Sequence, residues 1–238
     1  MSTRIPAVIL MMLVSFTGLA QYADHSAEHG GQLYHRFLLE AGTGADEHDL
    51  HLANWELDGW VGSDENRLRI DGSGKYTGGS TEHAELQLMY SRNISTFWDA
   101  QIGLRQDFRP DQISYLAVGI DGLAPYFFET KVHAFVSEQG DMSIQFRQEN
   151  DLLLTQRLVL QPFLEASLFL QDVPELATGV GLAQAQIGLQ LRHEFTRKIA
   201  PYASVAYERK FGDTASLAIV NGLDRDTINI MVGLRLQF

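Results

Sequence analysis

The chain has 238 residues, no cysteine, 45% hydrophobic residues and a formal net charge of -12. That acid excess repels nucleic acid. Beyond the N-terminus, no window is apolar for the ~20 residues of a transmembrane helix.

Residues 1–20 differ from the rest. Arg4 is their one charge, Ile5 to Phe16 is largely apolar, and Thr17-Gly18-Leu19-Ala20 offers small residues at a cleavage site. This reads as a secretory signal peptide cut near Ala20/Gln21. Residues 21–31, QYADHSAEHGG, form a polar, Gly-ended tail expected to be disordered. An exported chain without cysteines or helical spans is either a soluble β protein, such as a sandwich, or an outer-membrane barrel.

From residue 32 onward, apolar and polar residues alternate, the period of a strand with one apolar face. Tyr34–Ala41 shows it weakly. Leu52–Trp60 sets Ala53, Trp55 and Leu57 against Asn54, Glu56 and Asp58. Asn66–Tyr76, His83–Ser91, Trp98–Asp107 and Ser114–Leu123 follow, then Tyr126–Val136, Met142–Asn150, Leu158–Leu170, Ala183–Phe195 and Pro201–Lys210. The last segment, Thr227–Phe238, is the most regular. Ile228, Ile230, Val232, Leu234, Leu236 and Phe238 alternate with Thr227, Asn229, Met231, Gly233, Arg235 and Gln237.

Twelve segments of roughly 9 to 12 residues match tilted bilayer-crossing strands. The fold class predicted for residues 32–238 is therefore an all-β, 12-stranded antiparallel up-and-down transmembrane β-barrel. An even strand count puts both ends in the periplasm. Short links near Arg92-Asn93-Ile94, Ala124-Pro125 and Thr196-Arg197-Lys198 then read as periplasmic turns, and long links 171–182 and 211–226 as extracellular loops. Tyr90, Trp98, Tyr126, Tyr207 and Phe238 are placed for interfacial aromatic girdles. The final strand, closed by Phe238, resembles the signal read by barrel assembly machinery. Charges of both signs on the inward face predict a lumen mostly filled by side-chain pairs.

No Gly-rich phosphate loop, HExxH or CxxC occurs, and no enzymatic role is expected. His193, on an apolar face, has no obvious serine partner for a lipid-facing hydrolase. Metal ligation is the better question. His25 and His29 lie four apart in the tail, and His48 and His51 lie in the first loop. His83, Met89, His133 and Met231 point inward in this register. Imidazole and thioether suit copper, thioether especially its reduced ion.

The stretches Phe97–Phe108 (FWDAQIGLRQDF), Gly122–Glu129 (GLAPYFFE), Leu152–Pro162 (LLLTQRLVLQP) and Ala200–Thr214 (APYASVAYERKFGDT) resemble the copper-resistance protein B family of Gram-negative outer membranes. Gly59–Leu68 adds a weaker match. The resemblance covers most of residues 32–238. It implies an outer-membrane barrel in copper homeostasis, binding copper ions and acting with periplasmic copper-resistance partners, notably a multicopper oxidase. Family members often carry a Met- and His-rich segment before the barrel. Here the tail holds His25 and His29 but no Met, which shifts weight to the lumen residues or to loop carboxylates. The alternative function is a small-solute channel without a metal role.

Overall fold

The computed structural model describes residues 33–46 and 51–238. The expected signal peptide, the polar tail with His25 and His29, and His48 lie outside the described residues. Twelve strands form the wall: β1 (Tyr34–Asp46), β2 (His51–Gly62), β3 (Asn66–Thr77), β4 (Ser80–Ser95), β5 (Trp98–Arg109) and β6 (Ile113–Ala124), followed by β7 (Phe128–Ser137), β8 (Met142–Glu149), β9 (Leu158–Phe169), β10 (Gly181–His193), β11 (Ile199–Lys210) and β12 (Asp226–Gln237). Each pairs antiparallel with its chain neighbours, and β12 returns to pair with β1 from Leu38↔Gln237 to Asp46↔Asn229. Phe37 and Phe238 exchange backbone hydrogen bonds of 3.2 and 2.9 Å beyond that ladder. The sheet therefore has no free edge, the condition for β structure in lipid.

The two faces follow the alternation. On β12, Ile228, Ile230, Val232 and Leu234 are exposed on the outside, while Asn229 is buried and Met231 and Arg235 face inward. On β5, Ile102 and Leu104 are 52% and 64% exposed, whereas Gln101, Arg105 and Asp107 are buried at 7% exposure or less. Apolar residues outside and charged residues inside invert a water-soluble sandwich. They match the outer-membrane type of barrel.

Four sequence expectations are corrected in detail. The segment assigned to Tyr126 starts at Phe128, because Pro125–Phe127 is a 3₁₀ turn with Tyr126 and Phe127 in left-handed conformation. Tyr126 is 85% exposed at that turn and not part of a strand girdle. The β4–β5 turn falls at Thr96-Phe97, with Arg92, Asn93 and Ile94 still in β4. The long/short alternation of links rests on residues 170–180 and 211–225, since β3 and β4 meet at a two-residue turn, Gly78-Gly79. Both glycines have positive φ, 56° and 102°, as the tightest hairpin turns demand. Within the link before β12, a helix, α1 (Gly212–Val220), packs Thr214, Ala215 and Ala218 inward.

β8 is short for a chemical reason. Pro162 in β9 has no N–H, and its carbonyl accepts from Asn150 N on the β8 side. The ladder to β8 therefore loses a donor there. β8 ends at Glu149, and the chain re-pairs only through Leu152–Leu153 against Val159 and Leu160.

Candidate functional site

The inward charges join across the barrel. Lys131 Nζ on β7 lies 2.8 Å from Asp58 Oδ2 on β2, five strands away around the ring. Arg147 on β8 reaches Glu56 on β2 at 2.6 Å, six strands away and so on the opposite wall, and also holds Glu149 at 3.0 Å and Glu165 at 3.3 Å. Lys75 on β3 meets Glu208 on β11 at 3.6 Å. Arg235 pairs with Glu40 and touches Gln161 Oε1 on β9 at 3.4 Å. Twelve strands about 4.8 Å apart, tilted near 40°, would close a circular cylinder with facing backbones roughly 24 Å apart. Arginine and glutamate meeting tip to tip bridge only about 15 Å. The section is therefore narrowed between β2 and β8, and ion pairs cross it.

The wall from β3 to β7 carries the remaining inward chemistry. Register places Arg67, Ser91, Gln101, Gly119, His133 and Gln145 directly opposite one another in one row, and Arg69, Met89, Gly103, Ala117, Phe135 and Ser143 in the next. Gly103, Ala117 and Gly119 make a shallow place in the wall. A Cβ at Gly119 would sit 1.9 Å from His133 Cδ2 and 2.9 Å from its Nε2, so the imidazole lies across the β6 backbone. Glycine inside a strand marks this kind of close approach. The ring packs edge-on against Phe135, centroids 6.1 Å apart. Its Nε2 is 2.8 Å from Asp121 Oδ1, but the pair is not aligned for a hydrogen bond, and both atoms lack a hydrogen-bond partner. Arg69 links Asp121 (3.4 Å), Asp58 (2.8 Å) and Asp71 (3.5 Å). Three carboxylates against Arg69 and Lys131 leave this group one negative charge.

Met89 is fully buried against Ile113, Tyr115, Ala117 and Phe135. Arg105 lies over the rings of Tyr115 and Phe135 at 5.2 and 4.8 Å. It also binds Glu85 at 2.6 Å and clamps both oxygens of Asp107 at 2.6 and 3.0 Å. His83 sits beside a bulge at Glu82 in β4, its Nε2 3.0 Å from Glu85 Oε2.

The inward histidines and methionines do not gather into one centre. His83 and Met89 are six residues apart on β4, about 20 Å along an extended strand. Met231, on β12 between Gly44 and Ser204, lies four strands from Met89 around the ring. Among the described residues, no three His, Asp or Glu side chains cluster with metal-ligand geometry. His51 opens β2 instead of lying in the loop before it. His193 packs edge-on against Phe195, ring centroids 5.0 Å apart. What the sequence did not single out is Asp121, Gln101 and Arg69 around His133. The signal available was Gly119, a glycine inside β6 two residues before Asp121.

Comparison with known proteins agrees with this architecture. The chain matches the family described as Copper resistance protein B precursor (CopB) over residues 35–238. It is 34% identical over 222 residues to the copper resistance protein B homolog of Pseudomonas syringae pv. tomato, covering 92% of this chain and 76% of that protein. It is 37% identical over 213 residues to copper resistance protein B of Escherichia coli, covering 89% of this chain and 72% of that one. Among solved structures, the NanC porin superposes with a TM-score of 0.60 at 12% identity, covering 83% of this chain and 98% of the porin. The KdgM porin superposes at 0.55 and 10% identity, covering 84% and 99%. The porins share the barrel fold, and the sequence relatives are named for copper resistance. The chain belongs to the copper resistance protein B family.

Proposed function

We propose that the protein is exported to the outer membrane and there binds copper ions as its part in copper resistance. The observation that carries the reading is the crossed lumen. A barrel bridged wall to wall by Arg147–Glu56 and Lys131–Asp58 is suited to holding ions at inward side chains, not to free diffusion of solutes. The porin-like fold alone favours the channel alternative, but these bridges oppose it. The inward His83, Met89, His133 and Met231 and the tail residues His25 and His29 are the proposed ligands. Their spacing argues for separate weak sites, not one cluster. Imidazole and thioether ligands suit copper, and no enzymatic step is assigned. Barrel assembly machinery inserts the chain, the outer-membrane lipid surrounds it, and periplasmic copper-resistance proteins such as a multicopper oxidase are the proposed partners at its periplasmic mouth.

The test is metal analysis of the folded, detergent-solubilised full chain after equilibration with copper and gel filtration. Bound copper that falls when His25 and His29 are replaced, and falls further when His83 and His133 are, supports the reading. A full chain that elutes without copper, while inserting normally, sinks it.

A further inference from the structure

Buried polar atoms in native proteins are almost always hydrogen-bonded, so those that are not call for an explanation. Among the described residues, twelve buried side-chain atoms lack a hydrogen-bond partner, three of which, Asp121 Oδ1 and Oδ2 and His133 Nε2, stand in ion-pair contacts only. Seven belong to one place: Arg69 Nε, Ser91 Oγ, Gln101 Oε1 and Nε2, Asp121 Oδ1 and Oδ2, and His133 Nε2. The other five are scattered over Asn54, Thr77, Arg192, Arg209 and Asn229. Ser91, Gln101 and Asp121 are 1%, 4% and 7% exposed, each more than nine-tenths buried. Register brings them together: Ser91 pairs with Gln101, Gln101 with Gly119 and Gly119 with His133, while Asp121 stands one inward position along β6. Gly119 has no side chain to separate Gln101 from the imidazole that lies over it.

We propose that this row is a binding site for one divalent copper ion, with His133 Nε2, the Asp121 carboxylate and Gln101 Oε1 as its protein donors and Ser91 Oγ beside them. The inference rests on the copper-binding reading above and says which inward residues carry it and in which oxidation state. One nitrogen and several oxygens are a donor set for the divalent ion. The reduced ion prefers sulfur, and the nearest thioether, Met89, is used in packing against Phe135 and Ala117. The surrounding ion pairs leave one negative charge to meet a cation. Arg69, 3.4 Å from Asp121 Oδ2, orients the carboxylate from behind, the usual task of a group one shell out from a metal. His83 belongs to a different level of the barrel: it lies eight residues before Ser91 on β4, about 26 Å along the strand.

The experiment uses the full chain carrying His25→Ala and His29→Ala, folded in detergent, stripped with chelator and titrated with Cu(II) under electron paramagnetic resonance. The expected result is that the first, tightest Cu(II) equivalent shows hyperfine coupling to a single imidazole nitrogen. Asp121→Asn and His133→Gln each weaken it at least tenfold and change the spectrum, and His193→Gln, which alters an imidazole packed on Phe195 away from the row, leaves it alone. Cu(I) binding, measured against a chromogenic competitor, does not differ between these variants. Gly119→Ala, whose Cβ would displace the ring from β6, repeats the loss without removing a donor, and heat-modifiable gel mobility confirms that each titrated variant has folded. If the tail-substituted barrel binds copper but Asp121→Asn, His133→Gln and Gly119→Ala titrate as the parent does, this site is wrong while copper binding stands. If no form of the chain binds copper, both readings fall. Solvation of the row by water alone appears as a barrel whose Cu(II) is bound only elsewhere, and counts against the site.

Discussion

Val232→Arg is the substitution that separates a lipid-facing wall from a water-facing one. Val232 lies midway along β12, between Thr43 on β1 and Ala203 on β11, with its side chain outward and 56% exposed. On a surface bathed in water, such a change stays within about 0.5 kcal/mol. At the midplane of a bilayer an outward arginine costs about 2–4 kcal/mol, which lowers the folded-to-unfolded ratio roughly 30- to 900-fold. Ile228, near the end of the same strand and 42% exposed, sits by the interface, where the same change costs about 0–1 kcal/mol. Reversible urea unfolding in phospholipid vesicles, followed by tryptophan fluorescence and heat-modifiable gel mobility, measures both. Equal, small losses at Val232 and Ile228 would refute the placement of this face in lipid.

Three further outcomes, two in the interior and one at a hairpin turn, are each read by the same unfolding assay. Phe135→Ala removes a ring that is 1% exposed and packs on Met89, Tyr115 and His133, and should cost about 3–5 kcal/mol; a loss under 1 kcal/mol would show that this part of the lumen is loosely filled. Arg105→Ala strands Glu85 and Asp107, both deeply buried, and should cost about 3–5 kcal/mol. Glu85→Gln and Asp107→Asn added to Arg105→Ala should recover part of that, and no recovery would contradict the pairing. Gly79→Ala forces an alanine to φ near 102° and should cost about 1–2 kcal/mol; no loss would mean that the β3–β4 turn relaxes to another type.

The barrel was legible because its signal is periodic and local. Ile228 to Leu234 outside, Asn229 to Arg235 inside, follows from parity alone, and one strand fixes its own two faces. Pro125-Tyr126-Phe127 misled because two aromatics before Phe128 extend the apolar pattern into a turn whose left-handed backbone no sequence rule announces. Helix α1 hid in a long link because Gly212–Val220 is too short to show a helical period. The candidate site was half legible. Parity aims His133 and Met231 inward, but the distance between them depends on where each strand stands in the ring. Asp121 comes to His133 only through strand register, and Gln101 and Ser91 belong to no motif. The cross-lumen partners of Arg147 and Lys131 lie 91 and 73 residues away, beyond any local rule.

The claim beneath the rest is that the lumen is crossed shut and serves as a holder of ions. Planar-bilayer recording of the purified full chain tests it most directly. The native protein should leave the membrane quiet, and stepwise currents should appear once Glu56→Ala and Asp58→Ala remove the bridges from β2 to Arg147 and Lys131. Stable single-channel steps from the native barrel, unchanged in that double variant, would contradict it and make the protein a pore.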